Sequence, residues 1–342
     1  MVSSHSDTWR ITPAAMFLVA TINQCGESTV HDALEDLSGL TRGVGFRYPE
    51  RELTLLVGIG SDAWDRLFAG PRPSQLHPFK EVKGDRFVAP STPGDLLFHI
   101  RADTMDMCFE LATRISDTMD GAITVVDEVH GFRYFDQRDL LGFVDGTENP
   151  TGELAESSTT IGGEDPRFAG GHYVHIQKYL HDMTAWKALT VEEQENVIGR
   201  KKLDDIEIPD DKKKPNAHIV LNTIDDEQGR ELKIVRLNMP FGDVGKGEFG
   251  TFYIGYSRNP DVTERMLDNM FIGDPPGNTD AILDFSTAVT GCMFYVATDA
   301  FLDDPLPFAG ADSVASAPEP STDSAPPAQG GSLSIGSLKG QN

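Results

Sequence analysis

The chain has 342 residues, and 39% of them are hydrophobic, which is enough to build the cores of two units of ordinary size. Its 54 acidic and 29 basic residues give a formal net charge of −25. A charge of this sign and size opposes binding to nucleic-acid phosphates and to anionic lipids, so we expect neither a nucleic-acid partner nor a membrane partner.

The first part of the chain predicts strands and helices in the order βαββαβ. Four apolar runs predict strands over residues 14–22, 53–59, 95–101 and 122–129. A helix is predicted over residues 27–40 because its apolar residues fall on one stripe, and further helices are predicted after the capping residues Ser61 and Asp103. This order is that of a ferredoxin-like unit, which we assign to residues 1–135.

The second part of the chain predicts the same order of elements. Strands are predicted over residues 171–180, 231–237, 250–256 and 292–297. A capping box formed by Thr190 and Glu193 begins one helix, and Asn259 followed by proline begins another. We therefore expect an α+β fold of two ferredoxin-like halves, with the second half over residues 136–300.

The most informative stretch is residues 142–150, GFVDGTENP, in which Asp145 lies between small residues just before an Asn-Pro pair. Taken alone, Asp-Gly and Asn-Pro indicate ordinary turns. The whole stretch, however, resembles the GxxDG signature of the dye-decolorising peroxidases, a family of haem enzymes, with Asp145 as the distal acid. His218 follows 73 positions later, Arg236 another 18 positions later, and Asn238 just after it. This order of acid, histidine and Arg-x-Asn resembles the B-type branch of the family.

The resemblance implies one haem b per chain, bound in the second half of a dimeric α+β barrel-like unit. His218 is then the axial ligand of the iron, and a carboxylate bonded to its other nitrogen makes the imidazole more basic. Asp280 and Asp284 are both candidates for that carboxylate, and the resemblance favours Asp280. The remaining predicted haem contacts are Asp145, Gly146, Thr147, Glu148 and Arg236.

The residues predicted on the distal side of the haem differ in chemistry. A carboxylate such as Asp145 can move a proton from one peroxide oxygen to the other. Arg236 keeps its positive charge and favours the negative charge that builds as the O–O bond breaks. Asn238 can orient peroxide or water. We predict Asp145, Arg236 and Asn238 as the catalytic residues and leave open which of the first two matters more.

The resemblance implies a haem peroxidase that reduces hydrogen peroxide while it oxidises dyes, phenols or similar one-electron donors. A protein that stores haem or removes its iron is the alternative. It needs the same His218 but gives no role to Arg236. A third interpretation is an enzyme or binding module of the same fold class without haem, which an absorption spectrum excludes if a Soret band is present.

The composition changes after residue 300, where Ala, Pro, Ser, Asp and Gly replace large apolar residues. Such a segment cannot bury enough surface to order itself, so residues 301–331 are predicted to be a disordered linker. Apolar residues return in residues 332–342 as Leu333, Ile335 and Leu338. The sequence SLSIGSLKG resembles the targeting peptide of encapsulin cargo proteins. The resemblance implies a homo-oligomer, from dimer to hexamer, packaged in an encapsulin shell.

The cysteines and the N-terminus indicate the compartment. The three cysteines are widely spaced and form no CxxC pair, so neither a disulfide framework nor a zinc ribbon is indicated. The longest N-terminal apolar run is too short for a membrane span, and no signal peptide is recognisable. We therefore expect the protein in the cytoplasm, and the resemblance of its C-terminal peptide implies an encapsulin nanocompartment there.

Overall fold

The computed structural model describes residues 9–310 of the chain. The predicted targeting peptide, residues 332–342, and most of the predicted linker lie outside the described residues. Among residues 9–310, no helix combines the length and the apolar composition that a membrane crossing needs.

Strands and helices alternate along the described part of the chain. The strands are β1 (Ala14–Ile22), β2 (Thr54–Gly60), β3 (Val82–Lys83), β4 (Val88–Ala89), β5 (Leu96–Ala102), β6 (Ile123–Phe132), β7 (His172–His181), β8 (Ile224–Asp225), β9 (Glu231–Leu232), β10 (Val235–Arg236), β11 (Met239–Asp243), β12 (Glu248–Ser257), β13 (Ser286–Ala288) and β14 (Cys292–Val296). The helices are α1 (Glu27–Gly45), α2 (Ser61–Leu67), α3 (Met105–Thr118), α4 (Gly152–Thr159), α5 (Met183–Ala188), α6 (Val191–Ile198), α7 (His218–Leu221), α8 (Pro260–Phe271) and α9 (Asp299–Asp303). Short 3-10 helices cover Pro49–Arg51 and Ala281–Asp284.

Both halves have the strand order of a ferredoxin-like sheet. In the first half the order is β6-β1-β5-β2, and every neighbouring pair is antiparallel. In the second half β14, β7 and β12 follow one another in the same way, and the short strands β10 and β11 both pair with the outer edge of β12. The prediction of an α+β fold with two ferredoxin-like halves is confirmed.

The two halves share one ten-stranded sheet, because β14 of the second half pairs with β2 of the first. At this junction Phe294 lies opposite Gly60 and Val296 lies opposite Gly58. A Cβ atom at position 58 would lie only 2.8 Å from the Cβ of Phe294. Glycine at position 58 therefore lets the phenyl side chain of Phe294 pack directly on the neighbouring strand.

The shared sheet curls around an apolar interior. One core cluster combines Phe17 of β1, Ile176 of β7, Phe252 of β12 and further buried residues from both halves. The outer strands β6 and β11 also approach each other, since a Cβ atom at Gly131 would lie 2.5 Å from the Cβ of Met239. The result is a barrel-like unit, and α1, α2 and α3 contribute to a second apolar core.

Several predicted boundaries differ from the structure for local reasons. Residues 218–221 form helix α7, which is absent from the elements predicted above, because the carbonyl of Ala217 accepts hydrogen bonds from the next helical turn. The predicted strand over residues 231–237 is interrupted and forms β9 and β10. Ser61 and Asp103 are not the capping residues, which are Gly60 and Thr104.

The predicted linker begins later than the composition indicated. Residues 301–310 are ordered, and Phe308 forms a bridge to the backbone of Phe68. The Nε2 atom of His31 lies 2.8 Å from the carbonyl oxygen of Leu306. The apolar side chains of Leu302, Leu306 and Phe308 explain the order, because each finds a partner on the first half of the fold.

We expect Phe17→Ala to lower the free energy of unfolding by about 3–5 kcal/mol, because it empties a fully buried site in the barrel interior. The ring of Phe17 stacks on Phe252 at 4.1 Å and on His99 at 4.6 Å between ring centroids. Phe109→Ala is the matched control, since Phe109 is 56% exposed on α3, and we expect a change within about 0.5 kcal/mol. Urea unfolding of both variants measures the free energies of unfolding. Equal decreases in the two variants would contradict the view that packing in the barrel interior stabilises the fold.

Candidate active site

The segment before Asp145 is closed into a fixed turn. The backbone N–H of Asp139 donates to the carbonyl of Phe143 at 2.8 Å, and the N–H of Phe143 donates to Oδ1 of Asp139 at 2.9 Å. The N–H of Asp145 donates to the carbonyl of Gln137 at 2.8 Å. Gly146 then takes φ +81, a left-handed conformation that glycine adopts without strain. These bonds determine where the Asp145 side chain lies.

Asn149 connects the same segment to the strand that carries Arg236. Its side chain accepts a hydrogen bond from the N–H of Arg236 at 2.9 Å and donates one to the carbonyl of Arg236 at 2.6 Å. The amide of Asn238 donates to Oδ1 of Asp145 at 3.4 Å and accepts from the N–H of Ile254 at 3.1 Å. The structure thus brings Asp145, Arg236 and Asn238 together.

The guanidinium group of Arg236 stands out by its lack of partners. Among residues 9–310, no carboxylate lies within ion-pair distance of this side chain, and its Nε atom is buried without a hydrogen bond. By contrast, the nearby cations Arg200 and Lys233 both pair with Glu148, at 2.8 Å and 3.2 Å. Arg236 therefore keeps its donors available for a ligand.

His218 at the start of α7 is fixed by a buried carboxylate. Its Nδ1–H donates to Oδ2 of Asp280 at 2.7 Å, and Asp280 has no exposed surface. Oδ1 of Asp280 accepts from the N–H of Ile282 at 3.0 Å, and Asn222 donates to Oδ2 at 3.3 Å. Asp284, the other predicted candidate, instead pairs with Arg86 at the surface at 2.5 Å. The carboxylate next to His218 is that of Asp280.

These groups line one cavity of about 1430 Å³, a volume that includes its opening to solvent. Seven predicted site residues contribute to its wall: Asp145, Gly146, Thr147, Glu148, His218, Arg236 and Asn238. Asp280 lies behind His218 and is the one predicted residue that does not line the cavity. Much of the remaining wall is apolar, with Phe143, Leu232, Ile234, Met266 and Met270.

The ionisable groups of the wall are affected by burial. Burial raises the pKa of the Tyr253 phenol to about 12, an effect that the charge of Arg236 opposes. Burial lowers the pKa of His181 to about 4, so this histidine is neutral near pH 7. Burial raises the pKa of the Asp139 carboxyl to about 7, and the charge of Asp145 adds to this shift. The pKa of the Asp139 carboxyl therefore lies near neutrality.

Sequence reasoning missed three residues of the site. Asn149 was interpreted only as part of a turn, although its side chain forms hydrogen bonds with both the N–H and the carbonyl of Arg236. Asn222 lies four residues after His218, on the same face of a helical turn that the sequence did not predict. Asp139 precedes the recognised motif, and nothing in its local pattern distinguishes it from a surface acid.

Two protein-family models match the chain: the Dyp-type peroxidase N-terminal domain over residues 8–133 and the Dyp-type peroxidase C-terminal domain over residues 136–301. The chain belongs to the Dyp-type peroxidase family. It is 67% identical over 330 residues to the dye-decolorizing peroxidase of Mycolicibacterium paratuberculosis, an alignment that covers 96% of this chain and 91% of the relative.

Solved structures agree with this assignment. The encapsulated DyP-type peroxidase from Mycobacterium smegmatis, solved by cryo-EM, is 68% identical, with a TM-score of 0.86 over 87% of this chain and 96% of the other. A DypB variant from Rhodococcus jostii in complex with heme is 52% identical, with a TM-score of 0.85 over 86% of this chain and 96% of the other. The protein is a haem peroxidase, and haem is its cofactor.

Proposed function

We propose that haem b, one per chain, binds in the cavity described above with Nε2 of His218 as the axial ligand of its iron. The support is the donor chemistry of this histidine. Its Nδ1–H is engaged by Asp280, which leaves the lone pair on Nε2, and Nε2 has no hydrogen-bond partner among residues 9–310. A neutral imidazole backed by a carboxylate is a strong donor for haem iron.

The rest of the wall fits the other parts of a haem. Its apolar side chains suit the porphyrin ring. Arg200 and Lys233 at the same wall provide cations for the two propionate groups, next to the predicted contacts Gly146, Thr147 and Glu148. Thr147 is itself held in place, since its hydroxyl donates to Asp205 at 2.5 Å.

Bound haem supplies an iron atom that binds hydrogen peroxide and takes up its two oxidising equivalents. Asp145 accepts the proton of the inner peroxide oxygen and delivers it to the outer one. Arg236 stabilises the negative charge that develops on the departing oxygen, because its guanidinium is not neutralised by a carboxylate of the described chain. Asn238, already bonded to Asp145, orients peroxide or water. The convergence of these groups on the cavity of His218 is the observation that carries the proposal.

We infer that the electron donors are dyes, phenols or similar one-electron reductants. Asp145, Arg236 and Asn238 line the part of the cavity where peroxide is proposed to react. We expect bulky donors not to enter this part and to give up their electrons from outside the cavity. Steady-state oxidation of a dye by the haem-loaded protein with peroxide tests this function. A protein that binds haem but shows no such turnover, and instead releases iron from haem, would favour the alternative of haem handling.

We further propose that the protein is a cytoplasmic homo-oligomer packaged in an encapsulin by residues 332–342. The relative from Mycobacterium smegmatis is an encapsulated peroxidase, and it is 68% identical. The apolar residues Leu333, Ile335 and Leu338 follow a long polar segment. A short apolar peptide binds weakly on its own, but an oligomer that presents several of them binds a symmetric shell by avidity.

We expect His218→Ala to lose haem or bind it loosely, because the variant lacks the nitrogen donor. The ratio of Soret to protein absorbance measures the loss, and peroxidase turnover should disappear with it. His130→Ala is the control, since His130 is exposed and pairs only with Glu128 among the described residues, and it should keep full haem. A His218→Ala protein with a histidine-ligated spectrum would assign the ligand to another residue.

We expect Arg236→Leu to slow the reaction with peroxide by about 10²- to 10³-fold, the usual cost of removing one donor that stabilises developing negative charge. Asp145→Asn should also slow it, because the amide cannot accept the proton. Stopped-flow rates of the haem-loaded variants measure both effects. Arg230→Leu is the control, since its side chain is 76% exposed. Unchanged rates in both site variants would contradict the acid–base assignment.

We expect Asp280→Asn to raise the reduction potential of the bound haem, because the histidine loses its carboxylate partner and donates less strongly. Haem affinity should fall by about 10- to 100-fold, as for other partners of metal-ligating histidines. Asp284→Asn removes a carboxylate four residues away at the surface and should change neither quantity. Spectroelectrochemical titration measures the potential, and equal values for the two variants would contradict the pairing.

We expect a chain that ends at Gly330 to be excluded from encapsulin shells, because it lacks the predicted targeting peptide. Co-expression with the shell protein, followed by purification of the shells and quantification of their peroxidase content, compares it with the full-length chain. Dye oxidation by the free truncated protein should equal that of the full-length protein. Equal loading of both chains would refute the role of residues 332–342.

A further inference from the structure

Asp139, another carboxylate of the same cavity wall, lies six residues before Asp145. The functions proposed above give it no role. Its surroundings differ from those of a surface acid in two respects: the carboxylate is part of a closed turn, and charged groups from two chain segments act on it. Both features concern the segment that carries Asp145.

The carboxylate of Asp139 closes the turn that leads to Asp145. Oδ1 accepts the N–H of Phe143 at 2.9 Å, while the backbone of Asp139 forms hydrogen bonds with Gly142 at 3.1 Å and with Phe143 at 2.8 Å. The other side of the turn is held from outside, since Trp186 donates its indole N–H to the carbonyl of Leu141 at 2.9 Å. Asp139 and Asp145 therefore belong to one hydrogen-bonded loop, in which the N–H of Asp145 donates to the carbonyl of Gln137 at 2.8 Å.

The charged groups around Asp139 are Asp145, Lys202 and Arg138. Lys202 lies directly on the turn, because a Cβ atom at Gly142 would lie 2.5 Å from its Cε atom, and its Nζ donates to Gln194 at 2.6 Å. The guanidinium of Arg138 donates to the carbonyl oxygens of Gly142 and Lys202, at 2.9 Å and 2.6 Å. Lys202 favours the ionised form of Asp139, whereas Asp145 opposes it.

We propose that Asp139 is a positioning residue for the peroxide reaction: it holds the turn that presents Asp145 and, when ionised, makes Asp145 a stronger base. The inference rests on the proposed role of Asp145 as the proton acceptor. A negative charge close to a second carboxylate raises the proton affinity of that carboxylate. In this proposal the charge of Asp139 acts on peroxide through Asp145.

The pH dependence follows from the direction of the shift at Asp139. Burial raises the pKa of this carboxyl to about 7, so Asp139 is neutral below that pH and ionised above it. A negative charge next to Asp145 consequently appears as the pH rises through 7. Because a stronger base accepts the peroxide proton faster, the rate of the peroxide reaction should rise roughly three- to tenfold across this step.

The test is the stopped-flow rate constant for peroxide, measured with haem-loaded, full-length protein from about pH 5 to about pH 9. Asp139→Asn keeps an acceptor for the N–H of Phe143 but removes the charge, so the step should disappear. Asp139→Ala also removes the acceptor, so the rate should fall at every pH. Asp136→Asn, in the same loop and 76% exposed, removes the carboxylate that pairs with Arg138 at 3.3 Å but leaves Asp139 unchanged, so it should keep the step. A step that persists in Asp139→Asn, or is lost in Asp136→Asn, overturns the proposal.

A variant of Lys202 tests the ionisation of Asp139 independently. Lys202→Met removes the cation that favours ionised Asp139, so the step should move to higher pH, and a step that stays in place counts against the proposal. Infrared difference spectra of the haem-loaded protein provide a measurement independent of turnover. The band of a protonated carboxylic acid should titrate near pH 7 in the wild type and in Asp136→Asn but be missing from Asp139→Asn.

Two variants distinguish the role of Asp145 from that of Asp139. If Asp145→Asn reacts with peroxide at the wild-type rate, the proposed role of Asp145 is wrong, and the inference about Asp139 falls with it. If Asp145→Asn is slow but the pH step persists in Asp139→Asn, the role of Asp145 stands and the inference alone is overturned.

Discussion

The hydrogen bond between His218 and Asp280 is the interaction on which the site depends. A buried carboxylate is costly unless its oxygens are satisfied, and Asp280 satisfies them with His218, Asn222 and the backbone of Ile282. The backbone of Asp280 is also bonded to Met270 at the end of α8. Through these contacts Asp280 fixes the imidazole of His218 relative to α8, which forms part of the cavity wall. The bond to Nδ1 also determines that Nε2 is the ring nitrogen left for a ligand.

The alternation of side chains along two strands lets one sheet build both the barrel interior and the cavity. On β7, Val174 and Ile176 pack in the interior, whereas Gln177 and Tyr179 line the cavity. On β12, residues 252 and 254 face the interior, while residues 251 and 253 line the cavity. Because successive side chains of a strand point to opposite faces, one strand can supply polar side chains to the cavity and apolar side chains to the interior.

How much the sequence predicts depends on how local the cause is. Strand β1 was predicted to the residue, because its apolar run is buried on both faces of the sheet. The resemblance to a family motif also indicated Asp145, His218 and Arg236 as candidate site residues, and the structure places all three in one cavity wall. By contrast, contacts with distant segments determine three other features. These are helix α7, the two hydrogen bonds of Asn149 to the backbone of Arg236, and the ordered conformation of residues 301–310. Local pattern holds no information about such contacts.

The way in which Arg236 is held explains how an acidic protein keeps an available cation. With a net charge of −25, carboxylates are abundant, and the neighbouring Arg200 and Lys233 are paired with Glu148. Arg236 is positioned through its backbone instead, by the side chain of Asn149. A neutral amide can fix the main chain without neutralising the guanidinium, which a carboxylate at position 149 would do. The backbone of Arg236 is thus held by Asn149, while its guanidinium keeps its positive charge for a ligand.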